Sequence, residues 1–165
     1  PEARKVGLLY CSSEANSRYQ VEEVKRCLEE RNEGYECTLY AFSDSNDISA
    51  VVQQMAAQSE VVYVPTDNTV ASNTQLIDSI CRPAGIPVIA GEEGICSGCG
   101  IATLSISYEN LGRITAGIAA RILLGGEYVG DIPIAYDEAP VRKYNAEICE
   151  ELGIEIPDGY EPISA

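Results

Sequence analysis

Short apolar runs alternate with helix-period segments along nearly the whole chain. Val6 to Cys11 is a continuous apolar run that predicts a buried strand. Ser17 to Glu33 follows with Val21, Val24 and Leu28 at helical spacing, and Gly34 is placed to end that helix. Cys37 to Phe42 predicts the second strand. Asp44-Ser45-Asn46-Asp47 offers caps to a helix whose apolar stripe is Ile48, Val51, Val52 and Met55. Glu60 to Val64 is the third strand, and a helix from about Thr69 to Cys81 ends at Arg82-Pro83-Ala84-Gly85. Pro87 to Gly91 and Ile101 to Ile106 are the fourth and fifth strands. A helix from Glu109 to about Leu124 carries Leu111, Ile114, Ile118 and Ile122, and Gly125-Gly126 stops it. Ile132 to Tyr136 reads as a short sixth strand, and Asn145 to Leu152 as a last helix before Gly153. Strands separated by helices of this length require right-handed βαβ crossovers. The expected fold is therefore α/β: a three-layer αβα arrangement on a parallel, doubly wound sheet of about six strands, in a single domain spanning residues 1–165.

In open sheets of this kind ligands bind beyond the carboxyl ends of the strands. Two strand ends stand out. Leu8-Leu9-Tyr10-Cys11 runs into Ser12-Ser13-Glu14-Ala15-Asn16-Ser17, and Val61-Val62-Tyr63-Val64 into Pro65-Thr66-Asp67-Asn68-Thr69. A helix N-terminus at such a loop presents unpaired N–H groups and the positive end of the helix dipole, a setting for a carboxylate. The second loop adds an acid that can meet an ammonium. An amino acid carries both groups. Ser, Asn, Asp and Thr are also the preferred helix caps, so each of these residues has a purely structural reading beside the ligand-binding one. For Ser17 and Thr69 capping is at least as strong a reading, for Asp67 ligand contact is the stronger, and Glu14 reads as solvent-facing.

Composition narrows the chemistry. Among 165 residues, 26 are acidic and 11 basic, a net charge of −15, which argues against phosphate backbones and anionic lipid surfaces as partners. Histidine is absent, which removes Ser-His-Asp and Cys-His catalysis and every histidine-bearing metal site. No glycine-rich nucleotide fingerprint follows any strand, and no cofactor is expected. No apolar run approaches the ~20 residues that span a bilayer, and no signal peptide is visible. The opening Pro1-Glu2-Ala3-Arg4-Lys5 leads straight into a strand and reads as the start of a fragment. Seven cysteines, an odd number scattered through strands and helices, do not look like a disulfide framework. Cys27, Cys37 and Cys149 read as small apolar fillers. Cys96-Ser97-Gly98-Cys99 has the spacing of a redox pair or half a zinc site, but a zinc site needs two more ligands, for which Cys81 is the one nearby candidate in sequence, and the motif leads into a strand; it is read as a turn with free thiols or a local disulfide.

Ser12-Ser13-Glu14-Ala15-Asn16-Ser17 and Pro65-Thr66-Asp67-Asn68-Thr69-Val70-Ala71-Ser72, in that order, resemble the second lobe of the ABC-transporter substrate-binding protein family that includes tryptophan and aromatic amino-acid binders. The likeness continues through Pro87-Val88-Ile89-Ala90-Gly91-Glu92-Glu93-Gly94-Ile95-Cys96, Leu104-Ser105-Ile106-Ser107-Tyr108, and Tyr144 to Gly153. The resemblance implies one lobe of a type I periplasmic-binding-protein fold and an extracytoplasmic solute-binding protein without catalysis. An amino acid would bind in an interlobe cleft, and an ABC permease would be the partner. It implies that Ser12, Ser13, Asn16 and Ser17 hold the ligand carboxylate and Asp67 the ammonium. Asn68 and Thr69 would steady the loop or donate to the carboxylate. Glu92, at the end of the fourth strand, would be a ligand-contacting acid, with Glu93 as the other candidate. Family members carry a leader and a first lobe before this point, so the side chains that select the ligand would lie outside this chain. A sensor domain of a regulator and a small flavodoxin-like enzyme, with Asp67 or Glu92 as base and Cys11 or Cys96 as nucleophile, are the competing readings. Deprived of the first lobe, the helix from 109 to 124 would pack its stripe on its own sheet or, through Gly112, Ala116, Gly117, Ala119 and Ala120, against a second copy; a homodimer is the expected form.

Overall fold

The computed structural model describes residues 2–156 and 158–163. Two compact units divide the chain, one from residues 1–104 and 142–165, the other from 105–141. Strands β1 (Lys5–Cys11), β2 (Glu36–Phe42), β3 (Val61–Val64), β4 (Val88–Ala90), β5 (Ala102–Ser105), β6 (Val141–Tyr144) and β7 (Glu161–Pro162) form one sheet in the order β2-β1-β3-β4-β5-β6-β7. The pairings β1–β2, β1–β3, β3–β4, β4–β5 and β6–β7 are parallel. Helices α1 (Ala15–Glu30), α2 (Ile48–Gln58), α3 (Asn68–Ala71), α4 (Thr74–Cys81), α5 (Glu93–Cys99), α6 (Tyr108–Leu123) and α7 (Ala146–Glu151) connect or follow the strands. None of them is long and apolar enough to cross a membrane among the described residues.

The apolar strands serve two covered faces, as a parallel sheet requires. On β1, Leu9 and Cys11 join the larger core with Val52 and Met55 of α2, Ile77 of α4 and Ile95 of α5. The alternate residues Val6 and Leu8 pack with Val21 of α1 on the opposite face. A third cluster joins Ile101 to Ile148 and Cys149 of α7. Arg82 at the end of α4 lies 2.8 Å from Asp78 and 3.1 Å from both Glu147 and Glu151 of α7, so one guanidinium links these helices.

Several boundaries differ from the sequence expectations. α1 begins two residues early and ends at Glu30, because Asn32 turns the chain with φ 55° before Gly34 is reached. The helix expected from Thr69 to Cys81 is two helices. Ser72 Oγ and Asn73 Nδ2 donate back to the carbonyls of Asn68 and Thr69, at 2.9 and 2.7 Å, and compete with continuation of the first turn. The segment holding Cys96 and Cys99 is a helix rather than a turn, and both thiols are free and buried. Gly98 is what lets that helix approach α4: a Cβ there would lie 2.3 Å from Thr74 Oγ1.

The expected strand Ile132–Tyr136 is not a strand. Pro133 offers no N–H to a ladder, and Ile134 and Tyr136 are 81% and 74% exposed, so the alternating apolar pattern has no buried face. The sixth strand is instead Val141–Tyr144, and β7 makes the sheet seven strands wide. Within the smaller unit, Ser107 caps α6 by accepting from Asn110 N at 3.2 Å, and Asp137 accepts from Ser107 N and Asn110 Nδ2 at 3.0 and 2.6 Å. No residue of α6 is buried; Leu111, Ile114, Ile118 and Ile122 are half-buried, and Leu123 and Leu124 are exposed.

Candidate functional site

Both loops singled out in the sequence leave the carboxyl edge of the sheet from adjacent strands, β1 and β3. Three α1 residues on one side of the helix fasten the β3 loop. Asn16 Nδ2 donates to Thr66 O at 2.8 Å, Gln20 Oε1 accepts from Thr66 N at 3.0 Å, and Ser17 Oγ donates to Asp67 Oδ2 at 2.5 Å. The positions 16, 17 and 20 project from the same face by helical spacing.

Asp67 is 2% exposed. Its Oδ2 accepts from Cys11 N at 2.8 Å as well as from Ser17, and its Oδ1 accepts from Val70 N at 2.9 Å. The acid expected to meet a ligand ammonium is thus enclosed by three donors of the chain itself, capping α3 and closing the end of β1. Ser17 is likewise buried beneath the loop. Ser12 and Ser13 are exposed; Ser12 Oγ donates to Phe42 O at 3.0 Å, and Ser13 Oγ lies 3.0 Å from Cys11 Sγ.

Glu14, read from sequence as solvent-facing, holds the densest set of contacts in the site. Its Oε2 accepts from Asn68 N and Nδ2, both at 3.0 Å, and its Oε1 from Thr69 N at 3.0 Å and Thr69 Oγ1 at 2.9 Å. Asn68 and Thr69 therefore give their donors to Glu14 and steady the loop. The missed signal was a Glu at the N-cap position of α1, where Ser, Thr, Asp or Asn is usual; it makes no side-chain cap bond to its own helix. Partial burial pushes the Glu14 carboxyl up, but the four donors outweigh this and hold it below its ordinary 4.5. A carboxyl lowered on folding stabilises the fold above its ordinary value, and that contribution disappears as pH falls through the lowered one. Acid titration of the wild-type chain should therefore show stability draining below about pH 4.5, and Glu14→Gln should flatten that part of the curve; an unaltered curve would rule out this role.

Glu92 turns to its own helix. Its carboxylate accepts from Gly94 N at 2.8 Å and from Ile95 N, which makes it the cap of α5. Glu93 lies 3.6 Å from Lys143. Cys11 Sγ and the carboxylates of Glu14 and Asp67 all lie within 4.8 Å of one another, a spacing that a cation could bridge. Their oxygens are already taken by N–H and O–H donors, so a metal would have to displace those bonds. No lysine or arginine among the described residues is paired with Glu14 or Asp67. A cavity of about 420 Å³, lined by Ala3, Tyr35, Val61, Pro87, Ile89, Ile101 and Ile154, sits at the opposite, amino ends of the strands and has no part in this chemistry.

The chain matches the ABC transporter substrate binding protein family over residues 1–161. It is similar to the tyrosine-binding protein of Clostridioides difficile (strain R20291), with 36% identity over 134 residues, 81% of this chain and 38% of that protein. A ligand-free, open substrate-binding protein with adhesive properties from Clostridium difficile superimposes with TM-score 0.77 at 33% identity, over 99% of this chain and 55% of its own. The ABC domain from Streptococcus pneumonia in complex with L-Trp superimposes with TM-score 0.86 at 30% identity, over 99% of this chain and 56% of its own. The chain spans about half the length of these solved relatives and 38% of the tyrosine-binding protein. By its sequence over nearly all its length, and by a fold shared with substrate-binding proteins, the chain belongs to the ABC transporter substrate-binding protein family, whose members bind solutes and are not enzymes.

Proposed function

We propose that this chain is the ligand-holding lobe of an extracytoplasmic solute-binding component of an ABC importer, which takes an aromatic amino acid and hands it to a permease. The lobe forms one wall of a cleft whose other wall belongs to the rest of the whole protein. The observation that carries the reading is the N-terminus of α1. This helix has 16 residues, no side chain caps it, and exposed Ser12, Ser13 and Asn16 surround its first turn. Its free N–H groups and dipole suit a ligand carboxylate. Beside it lie the Asp67 and Glu14 carboxylates, which no lysine or arginine among the described residues pairs with, and their joint field favours a ligand ammonium even though both are hydrogen bonded. The aromatic class is supported by the tyrosine-binding and L-Trp-bound relatives.

Opposed ends of one zwitterion give a direct test. Nuclear magnetic resonance titration of the chain detects weak binding, which is what a single wall of a cleft should show. L-Tryptophan and L-tyrosine are expected to shift the amides of Ser13, Ala15 and Asn16. Tryptamine, lacking the carboxylate, and indole-3-propionate, lacking the ammonium, should each bind at least tenfold more weakly. Equal shifts from tryptamine would overturn the carboxylate assignment, and silence of these amides toward both amino acids at millimolar concentration would overturn the proposal.

A further inference from the structure

We infer that Glu14 is a positioning residue for ligand binding: its carboxylate clamps the Asn68–Thr69 turn to the β1 loop, which closes the α3 N-terminus to anions and leaves that of α1 open. The inference rests on the amino-acid reading above and adds what keeps the α1 end available to the carboxylate. At the N-cap position a Ser or Asp side chain would fold onto its own first turn. Glu14 is longer and points the other way, and its two oxygens accept four bonds from Asn68 and Thr69. That uses the full acceptor capacity of a carboxylate. Glu14 can neither cap α1 nor grip a ligand while the clamp is closed.

Asp67 completes the arrangement from the other side. It accepts from Val70 N in α3 and from Cys11 N and Ser17 Oγ on the β1 side. The backbone N–H groups of Asn68, Thr69 and Val70, which begin α3, are thereby all bonded to carboxylates of the chain, and that of Ala71 to Asp67 O. An incoming carboxylate finds no free backbone N–H in the first turn of α3, whereas the α1 end has no side-chain cap. Each loop lends the other an acid, and only one helix end is left for the ligand.

Amide hydrogen exchange on the isolated chain reads the clamp without any ligand. In Glu14→Ala the Asn68 and Thr69 amides are expected to exchange at least tenfold faster, with the amides of Leu8, Leu9 and Val62 in the central strands unchanged. Glu14→Gln, which keeps the length but offers one acceptor oxygen, should fall between and serves if the alanine variant folds poorly. In the same samples L-tryptophan should shift Ala15 and Asn16 in the wild type, and in Glu14→Ala these shifts should weaken tenfold or move to Asn68 and Thr69. Unchanged exchange at Asn68 and Thr69 would overturn the inference. So would equal acceleration of the central-strand amides, which would mark Glu14 as a general stabiliser only. Should the wild type bind no amino acid while the exchange pattern holds, the proposed function fails and the clamp stands.

Discussion

Asp67→Ala is expected to destabilise the chain by roughly 3 kcal/mol, because it orphans the buried donors Cys11 N, Ser17 Oγ and Val70 N at once. A loss of that size in a protein of this length lowers the melting temperature by roughly 6–12 °C. Asp67→Asn should cost less: its one oxygen can still accept from Cys11 and Ser17, while its amide group meets the N–H of Val70 as donor against donor. Urea denaturation followed by circular dichroism would report the order wild type, Asn, Ala. A wild-type midpoint for Asp67→Ala would show that the enclosed carboxylate is dispensable. Under the proposed function the ligand affinity of this variant would fall as well, through a loosened loop and the loss of one of the two charges that favour the ammonium.

Gly91→Ala is expected to injure the site more than the fold. A Cβ at position 91 would stand 2.6 Å from Thr66 N and 2.7 Å from the carbonyl carbon of Pro65. Those atoms are backbone and cannot rotate aside, so the Pro65–Thr66 segment must move. Thr66 is the residue that Asn16 and Gln20 grip from α1. Overpacking of this sort costs about 1–3 kcal/mol of stability. The displacement also falls on the strand end that carries Asp67. Proton–nitrogen spectra should show shifts concentrated at Asn16, Gln20 and Thr66, with amino-acid binding lost or reduced more than tenfold. Spectra matching the wild type at those residues would mean that the sheet absorbs the methyl elsewhere.

The strand-helix alternation, the parallel sheet and the two loops at its carboxyl edge were legible in the sequence because each depends on local period and on helix-forming runs. The network inside the site was not. Cys11 with Asp67, and Glu14 with Thr69, are more than fifty positions apart, and no local pattern says which acid reaches which amide. The same limit applies to Glu92, whose place at the end of the fourth strand did not reveal that its oxygens accept from the first turn of α5. Ile132 to Tyr136 shows the opposite error. Alternation there satisfied the strand template, but a strand needs a neighbour with free donors and acceptors, which a five-residue pattern does not reveal. Glu14 reads as solvent-facing in the sequence because its partners lie more than fifty positions away, and its length is what lets it cross to the other loop.

Sulfur chemistry in this chain is quiet despite its cysteine content, and that has a practical side. Burial raises the thiols of Cys81 and Cys96 to about 11 and about 12, and raises those of Cys99 and Cys149 as well. At neutral pH fewer than about one in a thousand of the Cys81 and Cys96 thiols is in the reactive thiolate form. Oxidising and reducing surroundings should therefore leave the interior alike. Cys27 is the one exposed thiol of the seven, on the outer part of α1. It lies eleven residues beyond Asn16, about 16 Å along the helix axis. A maleimide dye would find its most open natural attachment point there, with half-buried Cys37 the next, rigidly coupled to the helix end proposed to meet the ligand and too far from it to obstruct binding.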